Sequence, residues 1–174
     1  DTDGTVYLNS YDAEVTIEAT DRSDVHVVVY HSVDVDGWEL KSGEEFSMNV
    51  ESRGGDLYID EVDRNGARLL FGSIERDYRI NLQVPKSIAL DITGDDGSYE
   101  LSDIGGALQI EADDADVELR GVTSSSLDFE IDDGSIEMDQ GRGVLTLMMD
   151  DGDFRVREAQ FSEIDADVDD AELD

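Results

Sequence analysis

Five segments of this chain repeat one arrangement at a nearly fixed distance. Leu90, Leu108, Leu127, Leu145 and Ile164 each open a run of alternating apolar residues, and they are separated by 18, 19, 18 and 19 residues. A period of this size is the signature of a stacked array, in which each unit buries its apolar side only by lying against its neighbours. Within one unit the apolar residues are Leu127, Phe129 and Ile131, then comes "DDGS", then Ile136 and Met138. Period two makes each half a strand with one buried face. The acidic turn between the halves carries glycine, whose tolerance of positive φ suits a sharp corner. A second corner closes each unit and is written "SDIGGA", "RGVTSSS", "DQGRGV" and "REAQFS". The expected fold is all-β: a β-solenoid, similar to a parallel β-helix, made of short two-strand coils with an 18–19-residue repeat. It occupies one domain over residues 1–174, with regular coils from about 86 to 174 and irregular N-terminal coils from about 1 to 85.

The amino-terminal part follows the pattern less closely. "MNVESRGGDLYI" is expected to form a unit with Met48, Val50, Leu57 and Ile59 inward, and "VTIEATDRSDVHV" another with Val15, Ile17, Val25 and Val27 inward. "DGTVYL" reads as the second half of a coil. Between Ile59 and Leu90 the period fails, leaving a polar loop and one extended strand from Tyr78 to Val84 with Tyr78, Ile80, Leu82 and Val84 inward. Alternating and β-branched residues dominate throughout, and no long 3.6-residue stripe predicts a helix.

Charge narrows the partners. The chain has 46 acidic and 12 basic residues, a formal charge of −34. Such a chain repels nucleic acid and the heads of anionic lipids, so neither is an expected partner. Regular aliphatic periodicity separates it from disordered acidic tracts. There are no cysteines, which excludes disulfides and thiolate metal sites and leaves the redox compartment open. No apolar run approaches the roughly 18 residues of a membrane helix.

The strand ending in "INLQVPKSIALDITGDDGSYEL", together with the repeats of an apolar pair, an acidic or serine-glycine turn and another apolar pair, resembles the putative-adhesin family of bacterial cell-envelope proteins of unknown function. The resemblance runs from about residue 5 to the end and includes the step from Val84 to Pro85. It implies a β-solenoid placed outside the cytoplasm, in the periplasm, cell envelope or secreted, often as a membrane-tethered module. It brings no active-site residues. This chain departs from the family in being far more acidic.

Stacked coils place equivalent residues about 4.8 Å apart. Asp95 and Asp96, Asp113 and Asp114, Asp132 and Asp133, and Asp150 and Asp151 are then expected to form two parallel carboxylate ladders, continued by Asp169 and Asp170. Oxygen-only ligands suit a hard cation, so these residues are the candidate metal site, for Ca2+ or for a diffuse atmosphere of counterions. The competing reading is that aspartate suits corners and the ladders face water. The GGxGxD spacing of calcium-binding β-rolls is missing, with "RGGDLYI" and "DIGGALQI" as fragments only.

Outward strand positions are also acidic, with Asp91, Gln109, Asp128 and Thr146 in one column and Glu100, Glu118, Glu137 and Arg155 in another. They read as a surface for cationic partners or as an adaptation to salt. Arg155 and Arg157 near Asp150 and Asp151 raise the thought of a calcium-assisted base, but short coils with tight corners build no cleft. No GxSxG, HExxH or phosphate-cradling loop is present. His26 and His31, five residues apart on an extended strand, point to opposite faces and form no metal pair. Trp38 is expected to anchor a loop or the core, with sugar stacking as its alternative role. The expected function is that of a non-catalytic, adhesin-like interaction or structural module of the cell envelope or exterior, with a protein or glycan partner. The alternative is a calcium-dependent or carbohydrate-binding β-helix protein.

Overall fold

The computed structural model describes residues 3–39, 47–62 and 69–173, with side chains at all of these except 33–39, 69–76, 171 and 173. Eleven strands form one open sheet, with no helix among the described residues. They are β1 Thr5–Ser10, β2 Glu14–Thr20, β3 His26–Glu39, β4 Met48–Arg53, β5 Asp56–Glu61, β6 Leu69–Pro85, β7 Ala89–Ser102, β8 Leu108–Arg120, β9 Thr123–Asp139, β10 Arg142–Arg157 and β11 Gln160–Leu173. The five C-terminal strands pair in sequence order and in parallel. Their register follows the repeat, as in Leu90↔Leu108↔Leu127↔Leu145↔Ile164.

These strands are too long to be flat. In β9 the buried residues are Leu127, Phe129 and Ile131, then Ile136 and Met138, and in β7 they are Leu90 and Ile92, then Tyr99 and Leu101. Each strand thus holds two inward sets of opposite parity, which an unbroken strand would aim at opposite faces. The chain changes face between them, at the aspartate pair. The amino terminus shows the same division as a fork. β1 pairs with the first half of β7 and β2 with its second half, both in parallel. The sheet therefore has two branches. The first runs β4, β5, β1 and then the first halves of β7–β11; the second runs β3, β6, β2 and then the second halves. Inner residues of both branches belong to one core cluster. Full burial of each large aliphatic or aromatic side chain there contributes about 1.5–3 kcal/mol.

The fork corrects three of the sequence expectations. "DGTVYL" belongs to the first half of a rung, not the second, since Val6 lies beside Leu90 and Leu8 beside Ile92. Met48–Ile59 is not a parallel unit. β4 and β5 form an antiparallel hairpin around Gly54 and Gly55, both at positive φ, and Val50 is half-exposed at its edge. Residues 15–27 are not one unit either, because β6 lies between β2 and β3, running parallel to the first and antiparallel to the second. Hydrophobic alternation gives the face of a strand but not the direction of its neighbour. Tyr78, Ile80, Leu82 and Val84 are buried as expected. The polar loop at 63–68 lies outside the described residues.

The second corner is built by backbone conformation. Asp103, Gly121, Gln140 and Glu158 all have φ between 53° and 66°. The N–H groups of Asp103, Gly121 and Gln140 donate to the carbonyls of Arg120, Asp139 and Arg157, each at 2.9 Å, so the ladder of hydrogen bonds continues around the bend. Only one of these four residues is glycine. At the other corner Gly134 and Gly152 have φ of 135° and 145°, and a Cβ on either would stand 2.1 Å from the carbonyl oxygen of the preceding rung.

Candidate functional site

The corner aspartates fall where the repeat places them. Asp96, Asp114, Asp133, Asp151 and Asp170 stand in register on successive strands, with Asp95, Asp113, Asp132 and Asp150 immediately before the first four. All eight candidate ligands, Asp95 to Asp151, are exposed. A rung missed in the sequence precedes them. In "YDAEV" Asp12 occupies the position of Asp96, and Ala13 that of Gly97, because Ser10 pairs with Gly94 and Glu14 with Ser98. The match of "YDA" to "DDA" was the signal available.

Crowding marks two members of the ladders. Asp95 has its pKa raised by desolvation, then by Asp113, Asp96 and Asp12. Asp133 is raised by desolvation, then by Asp114, Asp151, Asp132 and Asp150. Among the described residues, no three His, Asp or Glu side chains converge as a ligand set for a metal ion. The ladders are lines of carboxylates with no enclosed cage.

Beneath the first corner, the Tyr99 ring fills space that glycine leaves open. A Cβ on Gly94 would lie 1.9 Å from the Tyr99 hydroxyl, and one on Gly97 would lie 3.1 Å from it. The next rungs replace the pair Gly94 and Tyr99 with Ala112 and Val117, then Ile131 and Ile136, then Met149 and Phe154. Burial pushes the Tyr99 phenol up, an effect that Ser10 opposes.

The outer faces of the two branches differ. On the first, the outward positions include Glu51, Asp56, Asp60, Asp91, Glu111, Asp128, Glu130, Asp165 and Asp167, nine carboxylates against Arg53 alone among the described residues. On the second, arginines are threaded among the acids. Arg79 pairs with Glu14 at 2.9 Å and Asp77 at 3.0 Å, Arg155 with Asp153 at 2.9 Å and Glu137 at 3.9 Å, and Arg120 with Glu118. Arg120, Arg155 and Arg157 line a shallow depression of about 140 Å³ with Glu118, Glu137 and Asp139. Arg155 is thus held by acids of its own face and is not directed at Asp150 or Asp151.

The first branch also carries an aromatic stack. The rings of Tyr7 and Tyr58 lie 4.8 Å apart and within 8° of parallel, and the Arg53 guanidinium sits 5.6 Å from the Tyr58 ring centre. On the other side of Tyr7, in register, is Asp91. Burial pushes the Asp91 carboxyl up, and no charge or hydrogen bond opposes that effect. His26 and His31 are both exposed, and His31 meets Tyr78 edge-on at 6.0 Å. Trp38 is in β3 opposite Phe71, and its side chain lies outside the described residues.

No curated protein matches this chain. Among solved structures it is similar to one described as a putative cell adhesion protein from Clostridium sporogenes ATCC 15579, with 9% identity and a TM-score of 0.41 over 99% of this chain and 91% of that one. The model of the family named Toastrack DUF4097 matches residues 46–174, a span that takes in every stacked strand from β7 to β11 and the corner aspartates between their halves. By that match the chain belongs to the Toastrack DUF4097 family.

Proposed function

We propose that this chain is a non-catalytic, adhesin-like β-solenoid module that works outside the cytoplasm and binds a cationic partner. The observation that carries the reading is the outer face of the first branch, where seven of the nine carboxylates have no hydrogen bond or ion pair among the described residues; of the other two, Glu51 pairs with Arg53 and Asp56 accepts from the Thr5 N–H. A rigid sheet holds these charges in place before any encounter, so a basic partner meets an ordered surface at little entropic cost. Electrostatic complementarity of this kind chiefly speeds association and sets the choice of partner. The adhesin-like role and the exterior location are what the sequence's resemblance to the putative-adhesin family of bacterial cell-envelope proteins suggests.

Two measurements test the reading. A hexa-arginine peptide should be retained by the immobilised chain at about 50 mM sodium chloride and released at about 500 mM, while hexa-glutamate is not retained. Equal retention of the two peptides at low salt would end the cationic-partner reading. External protease applied to intact producing cells should degrade the chain while a cytoplasmic marker survives, and a protected chain would overturn the location.

A second reading, calcium-dependent binding through the corner ladders, draws its support from the crowding at Asp95 and Asp133. It predicts a saturable rise in Tm at millimolar calcium and constant ionic strength that is lost in the double variant Asp132→Asn, Asp133→Asn.

A further inference from the structure

The aromatic stack on the first branch has two ends, and the chain itself fills one of them. Tyr58 is covered by the guanidinium of Arg53, at 5.6 Å from the ring centre. Tyr7 stacks on the other face of Tyr58, which leaves the far face of Tyr7 turned toward β7. There the same-face neighbour is Asp91, whose side chain is shorter than tyrosine by the aromatic ring. The outer part of the Tyr7 ring therefore stands above the carboxylate, with nothing in the register between them.

A π face beside a carboxylate is an arrangement that wants a cation. The negative face of the ring and the negative carboxylate repel each other, and one positive group attracts both. Asp91 has no ion pair or hydrogen bond among the described residues, and its pKa is raised by burial alone. The neighbours within the same face are Asn9, Thr93 and Gln109, which donate and accept hydrogen bonds but carry no charge. At the opposite end of the stack a ring and a carboxylate together already hold a guanidinium, since Arg53 lies 5.6 Å from the Tyr58 ring centre and pairs with Glu51 at 2.5 Å.

We propose that the Tyr7 ring and the Asp91 carboxylate form a docking site for an arginine side chain of a partner protein. The proposal rests on the reading of the first branch as the binding face and names the point on it that recognises the partner. A planar guanidinium lies against the ring as Arg53 lies against Tyr58 and directs its N–H groups to the carboxylate below, a double contact that a lysine ammonium reproduces less well. Arginine over lysine is therefore the expected preference.

The test uses fluorescein-labelled hexa-arginine and hexa-lysine peptides, followed by fluorescence anisotropy at about 100 mM salt. Tyr7→Ala and Asp91→Asn should each weaken hexa-arginine binding by about three- to tenfold. Asp167→Asn, the same change of charge on the same face but away from the stack, should weaken it less than twofold. Tyr7→Phe keeps the ring and should bind as the unaltered chain does, which separates loss of the site from loss of the fold if Tyr7→Ala is unstable. Ring proton resonances of Tyr7 should shift when the peptide is added. Equal effects of Asp91→Asn and Asp167→Asn, with no shift at Tyr7, would overturn the site while leaving the acidic face as a diffuse attractor. Absence of hexa-arginine binding to the unaltered chain would remove the broader reading as well.

Discussion

On its inner face the first branch presents Leu127, Phe129 and Ile131 and the second presents Ile136 and Met138, and both sets are buried. On the outer face the first branch sets nine carboxylates against Arg53, whereas the second threads Arg79, Arg120 and Arg155 among its acids. The inner faces are alike because each rung must match the apolar column above and below it. Nothing in that requirement constrains the outward residues, which point to water and obey only local electrostatics. Like charges on neighbouring strands destabilise a sheet, so the second branch shows the ordinary remedy, pairing within the face. The first branch uses the remedy once, between Arg53 and Glu51, and leaves its other acids without an ion pair among the described residues, the contrast on which the proposed cationic partner rests.

The largest expected effects test the likeness of the inner faces. Phe129→Ala in the first branch should cost about 3–5 kcal/mol and Ile136→Ala in the second about 2–5 kcal/mol, read by denaturant titration. Glu130→Ala and Glu137→Ala on the outer faces should each stay within about 0.5 kcal/mol. Comparable small losses from all four would mean that the two branches do not share a core.

The corner that joins the branches comes next. Gly134→Ala forces a side chain into a positive φ and against the Ala115 carbonyl oxygen at 2.1 Å, and should cost at least about 1–3 kcal/mol. Gly121→Asn at the opposite corner should be mild, because asparagine tolerates φ of 66° and the nearest atom is the movable carboxylate of Asp103. Reversal of that order would show that the first corner is not fixed by close backbone approach.

A smaller effect follows from pH. Asp95 and Asp133 bind protons more readily in the folded chain than in the unfolded one, so their contribution to stability falls as pH rises from the usual aspartate value through the raised folded value. Mild acidification from neutrality should therefore raise Tm. The gain ends when carboxyls held low by partners begin to protonate, such as Asp24 beside Arg22 and Glu51 beside Arg53. Asp133→Asn should raise Tm at pH 7 and flatten this dependence, and a lower Tm at pH 7 would contradict the crowding.

The smallest effects bear directly on the two outer faces. Asp128→Asn relieves unpaired charge and should stabilise slightly, while Glu137→Gln loses Arg155 and should destabilise slightly, each by less than about 0.5 kcal/mol. Raising sodium chloride to about 0.5 M should shrink both differences. The same sign for both variants would erase the distinction between the branches.

The repeat from Leu90 to Ile164 was legible because period-two alternation and a constant offset between units are properties of the sequence alone. Register followed from it, since shifting a rung by one residue would turn Phe129 outward and Glu130 inward. The aspartate ladders were legible for the same reason. The β4–β5 hairpin and the antiparallel β3–β6 pair were not, because the alternation of Val25 and Val27 or of Met48 and Val50 is the same whichever way a neighbour runs. Nor did Asp103 and Gln140 announce a left-handed corner, since the hydrogen bonds that hold it come from Arg120 and Arg157 of the next rung.

What the sequence determined by itself was therefore the local rule: which residues face inward, where the chain turns and how far apart the rungs repeat. Only the tertiary structure decided which distant segments become neighbours. Tyr7 and Tyr58 are 51 residues apart, and they stack because the β5 hairpin docks beside β1, with Asp91 brought to the other side by β7. A side-chain pattern specifies the face of a strand through its alternation, but strand order depends on which edges are free to pair once the core has formed. The aromatic site thus has no signature in the linear chain.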